Sequence, residues 1–172
     1  MNYIYAGIGS RNLPAAMIPI IQAIAAKLAR MGFTLRSGGA AGADSAFESA
    51  SGDNKEIYLP WKNFMNNKSP LYKITDEAKA LARAFYPPEN LEWYDRPGNY
   101  PTRNLMSRNC YQVLGDTLDT PVDFIVCWTP SEYKGGTSQA LRIARRYNIP
   151  YFNLFHKEKI YELANFLNTI KI

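Results

Sequence analysis

Three times along this chain an apolar strand pattern runs into a turn of small or polar residues with a helical pattern starting behind it: at Gly7 to Arg11, Ser37 to Asp44 and Thr129 to Ser138. A strand followed by a helix and a further strand of the same sheet returns parallel, and its crossover is almost always right-handed. The rhythm therefore predicts an α/β chain, a Rossmann-like three-layer sandwich with a mostly parallel central sheet. In such a sheet all three turns open at the carboxyl edge, where ligands bind.

The elements follow in order. Residues 3 to 8 read as a first strand, and Pro14 suits the start of a helix carrying Ile18, Ile21, Ile24, Ala25 and Leu28 at helical spacing up to Gly32. Phe33 to Leu35 returns as a second strand, which makes Gly9 to Asn12 and Ser37 to Asp44 expected neighbours. A helix with the small face Ala43, Ala46, Phe47 and Ala50 and a strand over 55–59 come next. Residues 60 to 101 are irregular apart from a helix over 75–85, and such an excursion is expected to cover or line a binding site. From Thr102 a helix places Met106, Cys110, Val113 and Leu114 on a core stripe and Asn104, Arg108 and Tyr111 on a polar one. The unbroken apolar run Val122 to Trp128 predicts a central strand buried on both faces. A helix behind Lys134 to Ser138, a strand over 149–154 and an amphipathic helix to Ile170 complete the chain.

Composition narrows the function classes. The 172 residues, 47% apolar and 20% charged, suit a single globular domain with a full core. A formal charge of +5 favours anionic partners, but the basic residues are scattered rather than gathered in a nucleic-acid tail. Cys110 and Cys127 form no CxxC pair, so buried free thiols are expected rather than zinc or a disulfide. His156 stands alone, which leaves a catalytic triad or a histidine metal site without support. No apolar run approaches membrane-spanning length and no leader pattern is visible, so the expected location is the cytoplasm.

The turn Leu35 to Glu48 has the chemistry of a site. Glycines and alanines let a ligand approach the backbone, and the helix behind them offers N–H groups and a positive dipole end to an anion such as phosphate. Three such turns together predict a nucleotide site. The dinucleotide fingerprint is absent, since Gly7-Ile8-Gly9 leads into Ser10-Arg11-Asn12, and so is the Walker A lysine. The combination of Gly7-Ile8-Gly9-Ser10-Arg11, Ser37-Gly38-Gly39-Ala40-Ala41-Gly42-Ala43-Asp44 and Gly135-Gly136-Thr137 resembles the SLOG superfamily, which groups the Smf/DprA DNA-processing proteins with the LOG nucleotide phosphoribohydrolases. The resemblance covers nearly the whole chain. Ser37 to Asp44 is most similar to the SGGAxGxD turn of the DprA-like branch, small phage-encoded members of which look like this chain. Arg103-Asn104 and Arg108-Asn109 resemble the Arg-Asn helix of several branches. The resemblance implies a Rossmann-like fold with a pocket for a nucleotide or nucleotide-derived ligand.

The chain departs from the LOG pattern where a catalytic glutamate is implied three residues after the threonine: that position is Ala140. Asp44 and Glu48 remain as candidate carboxylates. Asp44 equally suits a helix-start carboxylate that satisfies backbone donors, and Glu48 a solvated one. Arg11 suits a fork onto phosphate or a surface salt bridge. Arg103 and Arg108, five positions apart, cannot both face one pocket from an ideal helix. Trp128 either stacks on a base or packs in the core.

The candidate ligand set is Gly9, Ser10, Arg11, Ser37, Gly38, Gly39, Ala40, Asp44, Arg103, Arg108, Trp128, Thr129, Gly135, Gly136, Thr137 and Ser138, with no metal ligands and no required cofactor. Three functions compete. The first is binding of a nucleotide-derived small molecule, in a phage setting the sequestration of a host nucleotide signal. The second is N-glycosidic hydrolysis by Asp44 or Glu48, and the third is DprA-like binding of single-stranded DNA. Assembly into a homo-oligomer is a further expectation.

Overall fold

In the computed structural model, which describes residues 3–170, five parallel strands form one sheet in the order β3-β2-β1-β4-β5. The strands are β1 (Ile4–Gly9), β2 (Thr34–Ser37), β3 (Lys55–Ile57), β4 (Phe124–Trp128) and β5 (Tyr151–Asn153). The helices are α1 (Ile18–Arg30), α2 (Ala43–Ala50), α3 (Asp76–Phe85), the short α4 (Leu91–Tyr94), α5 (Tyr100–Leu114), α6 (Gly136–Arg146) and α7 (Glu158–Thr169). The three-layer sandwich expected from the strand-turn-helix rhythm is thus the observed fold.

Alternation along the strands divides the interior into two layers. Tyr5, Leu35, Phe124, Val126 and Phe152 join Ile21, Ala25 and Leu28 of α1, Phe47 of α2, and Leu163 and Leu167 of α7 on one face. Ala6, Ile8, Ile125 and Cys127 join Cys110 and Val113 of α5 and Leu141, Ile143 and Ala144 of α6 on the other. Both cysteines are free and buried, and burial pushes their thiols upward, Cys110 to about 12. Ile18, expected on the apolar stripe, is exposed because the first turn of α1 and the 3-10 turn at Ala15–Met17 before it extend past the core.

One expectation is corrected. Rather than having a core side and a polar side, α5 is buried at every residue from Met106 to Leu114, including Arg108 and Tyr111. The reason is the 60–101 excursion. Thr75 caps α3 by accepting a hydrogen bond from the Ala78 N–H at 3.2 Å, and the fully buried Ala78 and Ala82 bring α3 down onto the outer side of α5. The Tyr111 hydroxyl then accepts the Thr75 N–H at 2.8 Å, and its ring stacks on Tyr58 at 5.6 Å. The excursion thus covers the outer side of α5, and none of its described residues lines the cleft described next. Among the described residues no helix is long and apolar enough to cross a membrane.

Candidate functional site

Strand order reverses direction between β1 and β4, and the crevice at their carboxyl ends is where an open parallel sheet receives a ligand. A cleft of about 470 Å³ lies there, within the size range of small-molecule sites. The turn after β1 supplies Gly9, Ser10 and Arg11, the turn after β2 supplies Ala40 and Asp44, and the turn after β4 supplies Thr129 to Ser131 and Lys134 to Thr137. One wall is α5, through Thr102, Leu105, Met106, Arg108, Asn109 and Gln112.

The first two turns are held together by backbone contact. The Ala43 N–H donates to the Ser10 carbonyl at 3.1 Å, and Ser10 N–H donates to the Trp128 carbonyl at 2.9 Å. Gly42, with φ 82° and ψ −122°, presses so closely on this turn that a Cβ there would stand under 3.0 Å from the carbonyl oxygens of Ser10 and Arg11. Asp44 completes the joint. Its Oδ1 accepts the Gly9 N–H at 3.2 Å and its Oδ2 the Ala40 N–H at 3.3 Å, so one carboxylate serves donors from both turns.

Asp44 is buried, and burial raises its carboxyl to about 6 against the opposing pull of Arg108 and the backbone donors. The Arg108 guanidinium, equally buried, lies 3.9 Å from Asp44 and donates to the Gly38 carbonyl. Its Nε–H has no acceptor among the described residues, and burial lowers its pKa to about 10 despite Asp44. The Phe64 ring lies 5.7 Å from the Arg108 guanidinium carbon and 5.9 Å from that of Arg11, so an aromatic face supports both cations.

The third turn is anchored from β5. Asn153 Oδ1 accepts the Thr129 N–H at 3.0 Å, while its Nδ2 donates to the Thr129 carbonyl at 2.9 Å and to Glu132 at 3.2 Å. Glu132 in turn accepts from Tyr151 at 2.9 Å and Arg145 at 3.1 Å. From α5, Asn109 donates to the Gly136 carbonyl at 2.9 Å.

Of the residues expected from sequence, the cleft brings together Gly9, Ser10, Arg11, Ala40, Asp44, Arg108, Thr129, Gly135, Gly136 and Thr137. Ser37 is turned inward, donating to the Gly7 carbonyl at 2.6 Å, and Gly38 and Gly39 lie beneath the surface layer against Arg108 and Leu59. Ser138 donates to the Gly135 carbonyl and shapes the turn from behind. The Trp128 ring is in the core with its edge toward Phe155, and Arg103 leaves the cleft to donate to the carbonyls of Tyr94 and Arg96. Only one of the two arginines therefore faces the cleft, as their spacing requires. Glu48 lies outside it, held by Asn67 at 3.0 Å. Ala140 is fully buried and does not line the cleft, so Asp44 is the one carboxylate among its described lining residues. No group of histidine, cysteine or acidic residues among the described residues could hold a metal.

Outside the candidate set, the cleft also takes Ile8 of β1, Thr102, Leu105, Met106, Asn109 and Gln112 of α5, whose spacing reads as ordinary helix, and Pro130, Ser131 and Lys134 of the third turn; Asn153, on the last strand, holds that turn from outside the cleft. The only available signal for Asn153 is a polar residue closing an otherwise apolar strand run.

Fold and site together define an open parallel α/β domain with a cationic cleft at its switch point. No family model and no curated protein matches the chain. Among solved structures, DNA processing protein A of Helicobacter pylori, described for its single-stranded DNA binding mode, matches with a TM-score of 0.61. The match spans 97% of this chain and 79% of that one at 20% identity, a likeness of fold.

Proposed function

We propose that this chain binds single-stranded DNA and that the cleft seats one nucleotide of the strand. The observation that carries this is the distribution of charge. Arg11 and Lys134 stand exposed at the rim with no ion pair among the described residues, while the one lining carboxylate, Asp44, is buried and faced by Arg108. A phosphodiester at the rim would meet two free cations together with the first N–H groups of α6, which have no partner within the helix. The fold likeness to a DNA-processing protein and the net charge of +5 support a polymeric anion.

Fluorescence anisotropy of a labelled oligonucleotide over graded salt tests the reading. Affinity is expected to fall steeply with salt, and Arg11→Ala is expected to flatten the log–log slope by about 0.7, the contribution of one phosphate contact on a single strand. Absence of binding at low salt would overturn the proposal.

A second reading, retention of a nucleotide-derived small molecule, is favoured by the buried floor. Arg108 is a desolvated cation short of acceptors beside a carboxyl that burial raises to about 6. Cleavage of an N-glycosidic bond would fall to Asp44 alone, since Glu48 is outside the cleft. Calorimetry with nucleotides and cyclic or ADP-ribose-type signals, followed by chromatography for released base, distinguishes retention, cleavage and neither.

A further inference from the structure

We infer that a second nucleic-acid subsite lies on the opposite side of α5 from the cleft, so that a bound strand crosses the amino end of this helix. The inference rests on the single-stranded DNA reading above. A separate cavity of about 370 Å³ lies between α3 and α5 and is lined by Lys79, Arg83, Arg103, Asn104, Tyr94 and Tyr100.

Helical spacing fixes the relation of the two cavities. Thr102, Leu105, Met106 and Asn109 face the cleft, whereas Tyr100, Arg103 and Asn104 face the second cavity. At 100° per residue these sets lie on opposite sides of the helix. The first turns of α5 are therefore the ridge between the cavities, and a helix with its side chains is only about 10 Å across. On the first turn of α5, lining the second cavity, Tyr100 is 62% exposed and offers a base that has crossed the ridge an aromatic face.

The lining of the second cavity contains three cations and no carboxylate. Arg83 is held by Asp95 at 2.7 Å and Lys79 weakly by the almost fully exposed Asp76 at 3.4 Å. Arg103 has no carboxylate partner within ion-pair distance among the described residues; it donates to the carbonyls of Tyr94 and Arg96 and meets Asp95 only at longer range. A phosphodiester suits such a site because it meets point charge at the rim through Lys79 and a fixed guanidinium within.

The test uses labelled thymidine oligonucleotides of about 4 and about 16 nucleotides, the limits of single-strand site size per binding fold. Wild-type protein is expected to bind the longer one more tightly, with a steeper salt dependence. Lys79→Glu and Tyr100→Ala, both at exposed side chains, are each expected to weaken the longer oligonucleotide several-fold. Lys79→Glu should also lower the salt slope by about 0.7. Both variants should leave the shorter oligonucleotide unchanged. Equal affinity of wild type and both variants for the longer strand would overturn the second subsite while leaving the cleft reading intact, as would equal losses on both lengths. Failure of the wild type to bind either length removes the cleft reading, and this inference with it.

Discussion

Replacing Gly42 by alanine should open the joint on which the cleft depends, and the size of the effect can be worked from two separable causes. The first is the backbone: at φ 82° and ψ −122° an L side chain is strained by roughly 1–3 kcal/mol. The second is collision, because the new methyl group would stand under 3.0 Å from the carbonyl oxygens of Ser10 and Arg11, backbone atoms that cannot rotate away. Forcing an extra carbon into packed surroundings costs about 1–3 kcal/mol. Gly42→Ala should therefore destabilise by roughly 2–6 kcal/mol, or about 4–24 °C in melting temperature for a chain of this length. Gly52→Ala is the internal control, since Gly52 also has positive φ, 70°, but nothing within 4 Å of its Cβ position. It should cost only about 1–2 kcal/mol. Urea unfolding of both variants measures the difference. Equal costs would refute the claim that close approach of the two turns, and not the backbone conformation alone, demands glycine at this position.

Three further outcomes follow from the same geometry. Asp44 has a carboxyl raised from 3.8 to about 6 in the folded protein, so the folded state binds the proton more tightly than the unfolded one. Its ionisation penalty is absent below the unfolded value and full above about 6, and stability relative to Asp44→Asn should rise by up to roughly 3 kcal/mol as pH is lowered from 7 through that window. Denaturant titrations of both proteins at several pH values read this, and a pH-independent difference would contradict it. Asn153→Ala should strip partners from Thr129 and Glu132 and cost about 1–3 kcal/mol, with anion affinity falling as the third turn loosens. Unchanged affinity in the folded variant would deny Asn153 a positioning role. Cys110 and Cys127 should resist a thiol reagent until the chain unfolds, because burial both hides them and disfavours the thiolate. Fast labelling of the native protein would count against this.

The strand-turn-helix periodicity made the fold readable because a parallel sheet with helical crossovers leaves few topologies open. The three turns were readable for the same reason: small residues at strand ends have one place to go. What stayed hidden depends on contacts distant in sequence. Arg108 reads as the polar side of an amphipathic helix until α3, folded back from the excursion, covers that side and makes a buried cation of it. Trp128 sits at the right strand end for a cleft residue, but the alternation of β4 sends its ring into the layer of Phe124 and Val126, where it also meets the exposed ring of Phe155. Arg103 shares a motif with Arg108, and five residues of helical rotation carry it to a different cavity. Asn153 acts on a turn 24 positions earlier, a link no local pattern contains.

The burial of α5 from Met106 to Leu114 bears on how such a domain changes its ligand under selection. Arg108, Asn109 and Gln112 belong at once to the cleft wall and to the interior, so any substitution that retunes recognition through them also disturbs packing. The rim residues Arg11 and Lys134 and the exposed segment 133–136 carry no such double duty. On the proposed reading, divergence in ligand preference should accumulate in that segment and at position 11, while the α5 wall drifts slowly and keeps the outline of the cleft constant.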